Sequence, residues 1–189
     1  MTSTRSYGEA AALVGCGGRR RGAAVRVLSE DAALVSLACV LGLVESWLPA
    51  PVLGVRLGLA NVVVLVALVR SGWVRAARVS AAKVLLVGLA GGSLGGPAFV
   101  LSAAGALASL IAMQALLWTK RFSVAGVSLG GSFAHVAGQL VSAAALASSS
   151  VVAALATPAL LASIPLGMIT GMIAGALVSR LEGVGSSGR

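Results

Sequence analysis

The chain has 189 residues, 58% of them hydrophobic and only 10% charged, where a water-soluble domain of this size carries about 25% charged residues. That balance excludes an ordinary soluble globular protein. Lys and Arg outnumber Asp and Glu by 14 to 5, giving a formal net charge of +9, but the cations sit in a tail and short loops, where they set membrane orientation rather than bind nucleic acid.

The first stretch, 1–28, is rich in Gly, Ser and Arg and reads as a disordered basic cytoplasmic tail. Its Arg19, Arg20, Arg21 and Arg26 precede a long apolar run without a small-residue cleavage site, which argues against a cleaved signal. Cys16 lies in the tail and Cys39 in an apolar run, with no further cysteine or histidine at ligand spacing, so neither a disulfide nor a metal site follows.

Apolar runs between charges and turn formers fall near 32–48, 51–69, 79–96, 98–118, 124–148 and 158–179. A crossing helix needs about 20 residues to span about 30 Å of hydrocarbon. The pattern predicts an all-α, polytopic bundle of six transmembrane helices over 29–182, with a short disordered tail at 183–189. The second run is the short one, since its apolar part from Leu57 to Val69 would also suit a re-entrant piece. Charge decides between the two. With six crossings and a cytoplasmic N-terminus, the inner side holds Arg19, Arg20, Arg21, Arg26, Arg70, Arg75, Arg78, Lys120, Arg121 and Arg180, and the outer side holds only Arg56. That partition is the one the positive-inside rule favours, so both termini are expected in the cytoplasm and the chain in the cell membrane.

Glycines recur at four-residue spacing, Gly88, Gly92 and Gly96 in the third segment and Gly167, Gly171 and Gly175 in the last, as in closely packed membrane helices. In the first segment Ala32 with Ser36 and Ala38 with Gly42 form a weaker small-residue face, a candidate contact for a partner protein.

Polar side chains at membrane depth cost roughly 2.5 to 3.5 kcal/mol each and mark pathways or sites. Glu45, Arg56 and Asn61 fall in the outer half, where Glu45 and Arg56 either pair or each snorkel to the outer interface. His135 and Gln139, four apart, share one face of the fifth segment near mid-membrane and point to a polar cavity. Lys83 is expected to snorkel to the cytoplasmic side, and Thr170 to bond its own helix backbone. With one His, one Asp (Asp31) and no phosphate loop, no catalytic residue and no cofactor is expected.

The segments GLVESWLPAP (42–51), GVRLGLANVVVLVAL (54–68), FVLSAAGALASLIAM (99–113), FSVAGVS (122–128), HVAGQ (135–139) and IPLGMITGMIAG (164–175) resemble the bacterial Gx transporter family. Its members are often labelled heptaprenyl diphosphate synthase component I, and they look like the substrate-binding S components of energy-coupling factor transporters. Arg56 stands where the family has Lys, keeping the charge but changing the hydrogen-bond geometry, and Val136 stands where it has Asn. The resemblance implies a binding site for a small-molecule substrate at Glu45, Arg56, Asn61, His135 and Gln139. It also implies a transmembrane coupling subunit and ATPases as partners, so that ATP acts only through them. A second implication is an accessory membrane subunit of a heptaprenyl diphosphate synthase. The chain itself lacks the Asp-rich motifs that hold Mg²⁺ against diphosphate, so it is not expected to be an enzyme. A purely structural bundle is the third reading. The topology is checked by a reporter fused at Arg75, which is expected on the cytoplasmic face; an external reporter overturns it.

Overall fold

The computed structural model describes residue 25 and residues 27–45, 60–146 and 149–186. Arg56 and most of the expected N-terminal tail lie outside the described residues. The described part is all-helical. The helices are α1 (Val27–Glu45), α2 (Ala60–Ser71), α3 (Trp73–Ala90), α4 (Pro97–Thr119), α5 (Val124–Leu146) and α6 (Ser149–Ser186). The chain divides into two compact units, Met1–Ala33 and Leu34–Arg189, with the boundary inside α1. Within the first unit Val27 and Leu28 are exposed and Asp31 is half-buried. Everything below concerns the second unit.

Four helices are long and apolar enough to cross a membrane: α1, α4, α5 and the Ala156–Arg180 part of α6. The chain is therefore a multi-pass membrane protein in its architecture. Helix α3 has 18 residues but carries Arg75, Arg78 and Lys83. Helix α2 has 12 described residues, about 18 Å of rise, short of the hydrocarbon thickness.

What α2 lacks in length it makes up in burial. Every residue from Ala60 to Leu68 is buried, all round the helix, and Val63, Val64, Leu65 and Ala67 are nearly inaccessible. A helix apolar on all faces belongs in the centre of a bundle, and α2 packs against α3, α4, α5 and α6. Ala38 of α1 joins the same core, with Leu34, Val35 and Leu41 packed on it.

Glycine sets the ends of α2 and α3. Gly72 separates them at φ 82°, a left-handed conformation that a side chain would strain. The end of α3 is a Schellman motif: the Ser93 amide donates to Gly88 O at 2.9 Å and the Gly92 amide to Leu89 O at 3.1 Å, with Gly92 at φ 62°. This corrects two expectations for the third segment. The helix starts at Trp73, six residues before the expected 79, and stops at Ala90. Gly92 and Gly96 therefore lie beyond it and form no helical face with Gly88. Pro97 then opens α4 at a position whose missing amide proton costs nothing.

The most extensive contacts join α4 to α5 and α5 to α6. Here the small-residue spacing is used within the chain. A Cβ on Gly167 would stand 2.9 Å from the Leu129 Cα, and one on Gly171 would stand 2.8 Å from the Ala125 Cα, so the α5 and α6 backbones touch. Ser128 and Thr170 bond across that seam at 3.0 Å, and Thr170 also donates to Leu166 O at 2.9 Å, its own helix backbone as expected. Pro158 and Pro165 lie inside α6 and remove two amide donors from its ladder. The helix runs on to Ser186, into the stretch expected as a tail.

Because the atom facing Gly171 is backbone, Gly171→Val is expected to cost about 1–3 kcal/mol by overpacking. Gly175, with nothing within 4 Å of an added Cβ, should accept Val within about 0.5 kcal/mol. Thermal unfolding of the two purified variants in detergent measures the contrast.

Candidate functional site

Five helices converge on one small cavity of about 30 Å³. Glu45 reaches it from the end of α1, Ala60 from the start of α2, Lys83, Val84 and Val87 from α3, Ser102 from α4 and His135 from α5. Glu45 is 7% exposed, Lys83 9% and His135 5%. Two titratable side chains and an ammonium thus share a space large enough for about one water molecule.

Each polar group has a structural reason to be there. The Lys83 ammonium donates to Asn61 Oδ1 at 3.2 Å, a buried bond between α3 and α2. Ten residues separate Lys83 from Trp73, about 15 Å of rise, so Lys83 stands midway along α3, buried against α2. The expectation that Lys83 snorkels to the cytoplasmic side is therefore corrected. It rested on a helix starting at 79, whereas the true start at Trp73 carries Lys83 a further turn and a half inward.

His135 and Gln139 are one turn apart on α5, with Gln139 Nε2 3.2 Å from His135 Nε2. Which of the two nitrogens donates depends on the tautomer of the imidazole. Gly105 of α4 makes the close approach possible, since a Cβ there would stand 2.9 Å from both Gln139 Cγ and His135 Cε1. Two amide atoms, Asn61 Nδ2 and Gln139 Oε1, are buried without a hydrogen-bond partner among the described residues. Such groups cost about 1–3 kcal/mol each when left unsatisfied, so they are free to serve a ligand or water.

Of the residues expected at a binding site, the structure brings Glu45, Asn61, His135 and Gln139 together, directly or through one hydrogen bond. Arg56 lies outside the described residues. Sequence reasoning missed Lys83 and Ser102. The signal for Lys83 was Gly72, a breaker that places the helix start before the Arg75 and Arg78 pair. Ser102 carries no such signal.

The small-residue face of α1 divides in two. Ala38 is fully buried, and a Cβ on Gly42 would stand 2.9 Å from Val87 Cγ2, so this half is occupied by α2 and α3 of the same chain. Only Ala32 and Ser36 are exposed.

Apolar helices able to span a bilayer, closed around a cluster of buried ionisable groups, define a multi-pass membrane protein with an internal polar site. The chain belongs to the heptaprenyl diphosphate synthase component I family, whose model matches residues 34–179, well over half of its length. No curated protein and no solved structure matches it.

If the Lys83–Asn61 bond is a charge-assisted hydrogen bond in a dry site, its coupling energy is about 1.5–3 kcal/mol. A double-mutant cycle of Asn61→Leu and Lys83→Met, read by thermal unfolding in detergent, is expected to return a coupling of that size, and a value near zero contradicts it.

Proposed function

We propose that this protein is the substrate-binding membrane subunit of a transport system, resembling the S components of energy-coupling factor transporters. The observation that carries the reading is the convergence of Glu45, Lys83, Ser102 and His135 from four helices on one cavity, with Asn61 and Gln139 bonded behind them. A bundle built only for stability has no use for them, because each ionisable side chain at mid-membrane costs roughly 2.5 to 3.5 kcal/mol.

On this reading all six helices cross, and both termini are cytoplasmic in the cell membrane. Arg70, Arg75 and Arg78 at the α2–α3 junction, Lys120 and Arg121 between α4 and α5, and Arg180 near the end of α6 then share the inner face. Release of substrate is driven by a partner transmembrane subunit with ATPases, and the chain holds no cofactor of its own.

The family name favours a second reading, an accessory membrane subunit of a heptaprenyl diphosphate synthase. In that case too the chain carries no prenyl transfer itself. Holding Mg²⁺ against a diphosphate takes several hard oxygen ligands, and the chain has a single Asp.

Gentle purification from native membranes, with mass spectrometry of retained small molecules and of co-purifying subunits, separates the readings. The transport reading expects a retained small molecule that is lost in Lys83→Met and His135→Leu but kept in Gly175→Val, together with a transmembrane subunit and ATPases. A co-purifying prenyl-transferring subunit with no retained small molecule establishes the second reading instead.

A further inference from the structure

The polar cavity has an apolar neighbour. Between α3 and α4 lies a groove of about 460 Å³, whose floor is made of small residues, Ala77 and Ala81 on one side and Ala103 and Ala106 on the other. Trp73 stands at one end and Leu107 on the rim, 39% and 60% exposed, so the groove opens outward, toward lipid in a membrane. Only Ser80 interrupts its apolar lining.

The two spaces share one lining residue, Val84, which stands between them. On either side of it the lining residues are consecutive: Lys83 faces the cavity and Leu85 the groove, and on α4 Ser102 faces the cavity and Ala103 the groove. Their sizes differ by an order of magnitude. The groove falls within the range of about 300–1,000 Å³ of small-molecule sites, while the cavity holds about one water-sized group.

Resting on the reading of the cavity as a ligand site, we propose that the ligand is a single-chain amphiphile, a long-chain primary alcohol, whose tail lies in the α3–α4 groove and whose hydroxyl enters the cavity past Val84. It reaches the site sideways from the lipid.

The head chemistry follows from the cavity. Glu45 and Lys83 carry opposite charges, so a carboxylate head meets a like charge at Glu45 and an ammonium head meets one at Lys83. A phosphate or diphosphate exceeds the space. A bare alkyl end strips water from ionisable groups and returns nothing. A hydroxyl is neutral, one heavy atom in size, and both donates and accepts, so one group serves the carboxylate and the ammonium together. Lys83 keeps its bond to Asn61 Oδ1 meanwhile, because an ammonium has three donors.

Trp73 reports on the groove directly. In the full chain with Trp47→Phe and Trp118→Phe, purified into lipid nanodiscs, Trp73 fluorescence is titrated with dibrominated stearyl alcohol and, separately, with dibrominated octadecane. The expected result is saturable quenching by the alcohol, with an apparent affinity about tenfold weaker for the alkane, the equivalent of one lost hydrogen bond. Ala106→Leu, which fills the floor, and Leu107→Phe, an exposed rim change that leaves the core untouched, should both abolish saturation. Ser102→Ala and Lys83→Met should bring the alcohol to the level of the alkane. Quenching that grows linearly and equally with both compounds, or that ignores the groove variants, overturns the inference. A water-soluble compound retained by the purified protein in a Lys83-dependent way then leaves the transport reading standing, whereas its absence as well removes both.

Discussion

A lysine buried among helices needs other polar groups around its nitrogen, and this constraint organises the bundle. Lys83 is held against Asn61, and Asn61 sits at the start of the one helix that every other element of the core packs upon. The bond therefore fixes the rotation of α3 against α2, and with it which residues of α3 point inward. Val84 and Val87 follow Lys83 to the cavity wall, while Trp73, Ala77 and Ala81 are turned to the groove.

Small residues then decide how tightly the polar groups are enclosed. Gly42 lets α1 close on Val87 and Lys83, and Gly105 lets α4 close on His135 and Gln139. A methyl group at either position would push a wall outward by several tenths of an ångström. The same device, Gly167 and Gly171 against Leu129 and Ala125, clamps α6 to α5 beside the Ser128–Thr170 bond, so close approach by itself marks packing. What singles out the Gly42 and Gly105 pair is the company they keep.

The all-helical membrane architecture was legible from composition and from runs of apolar residues, because helices in lipid bury little besides apolar side chains. Two boundaries turned on a glycine or proline: Pro97 gave α4 to within one residue of the expected start, whereas Gly92 was read as an interface and turned out to terminate α3. Lys83 was displaced by the other end of the same helix, whose start at Trp73 follows the breaker Gly72. In the site, His135 and Gln139 could be paired from their four-residue spacing, which is a property of one helix. Lys83 with Asn61, and Ser102 beside Glu45, join different helices, and no spacing in the sequence encodes which faces of two helices meet.

The family name and the geometry press in different directions, and their tension bears on what the site holds. A diphosphate-handling centre needs room and several carboxylates, while this cavity of about 30 Å³ has one carboxylate balanced by one ammonium. Paired groups of opposite sign favour neutral, hydrogen-bonding partners, since any charged group gains from one member what it loses to the other. An accessory subunit and a substrate-binding one would both have to accommodate this acidic and basic pair beside a groove of about 460 Å³ lined mainly by apolar side chains. The choice between the two roles then rests on which proteins assemble with the bundle.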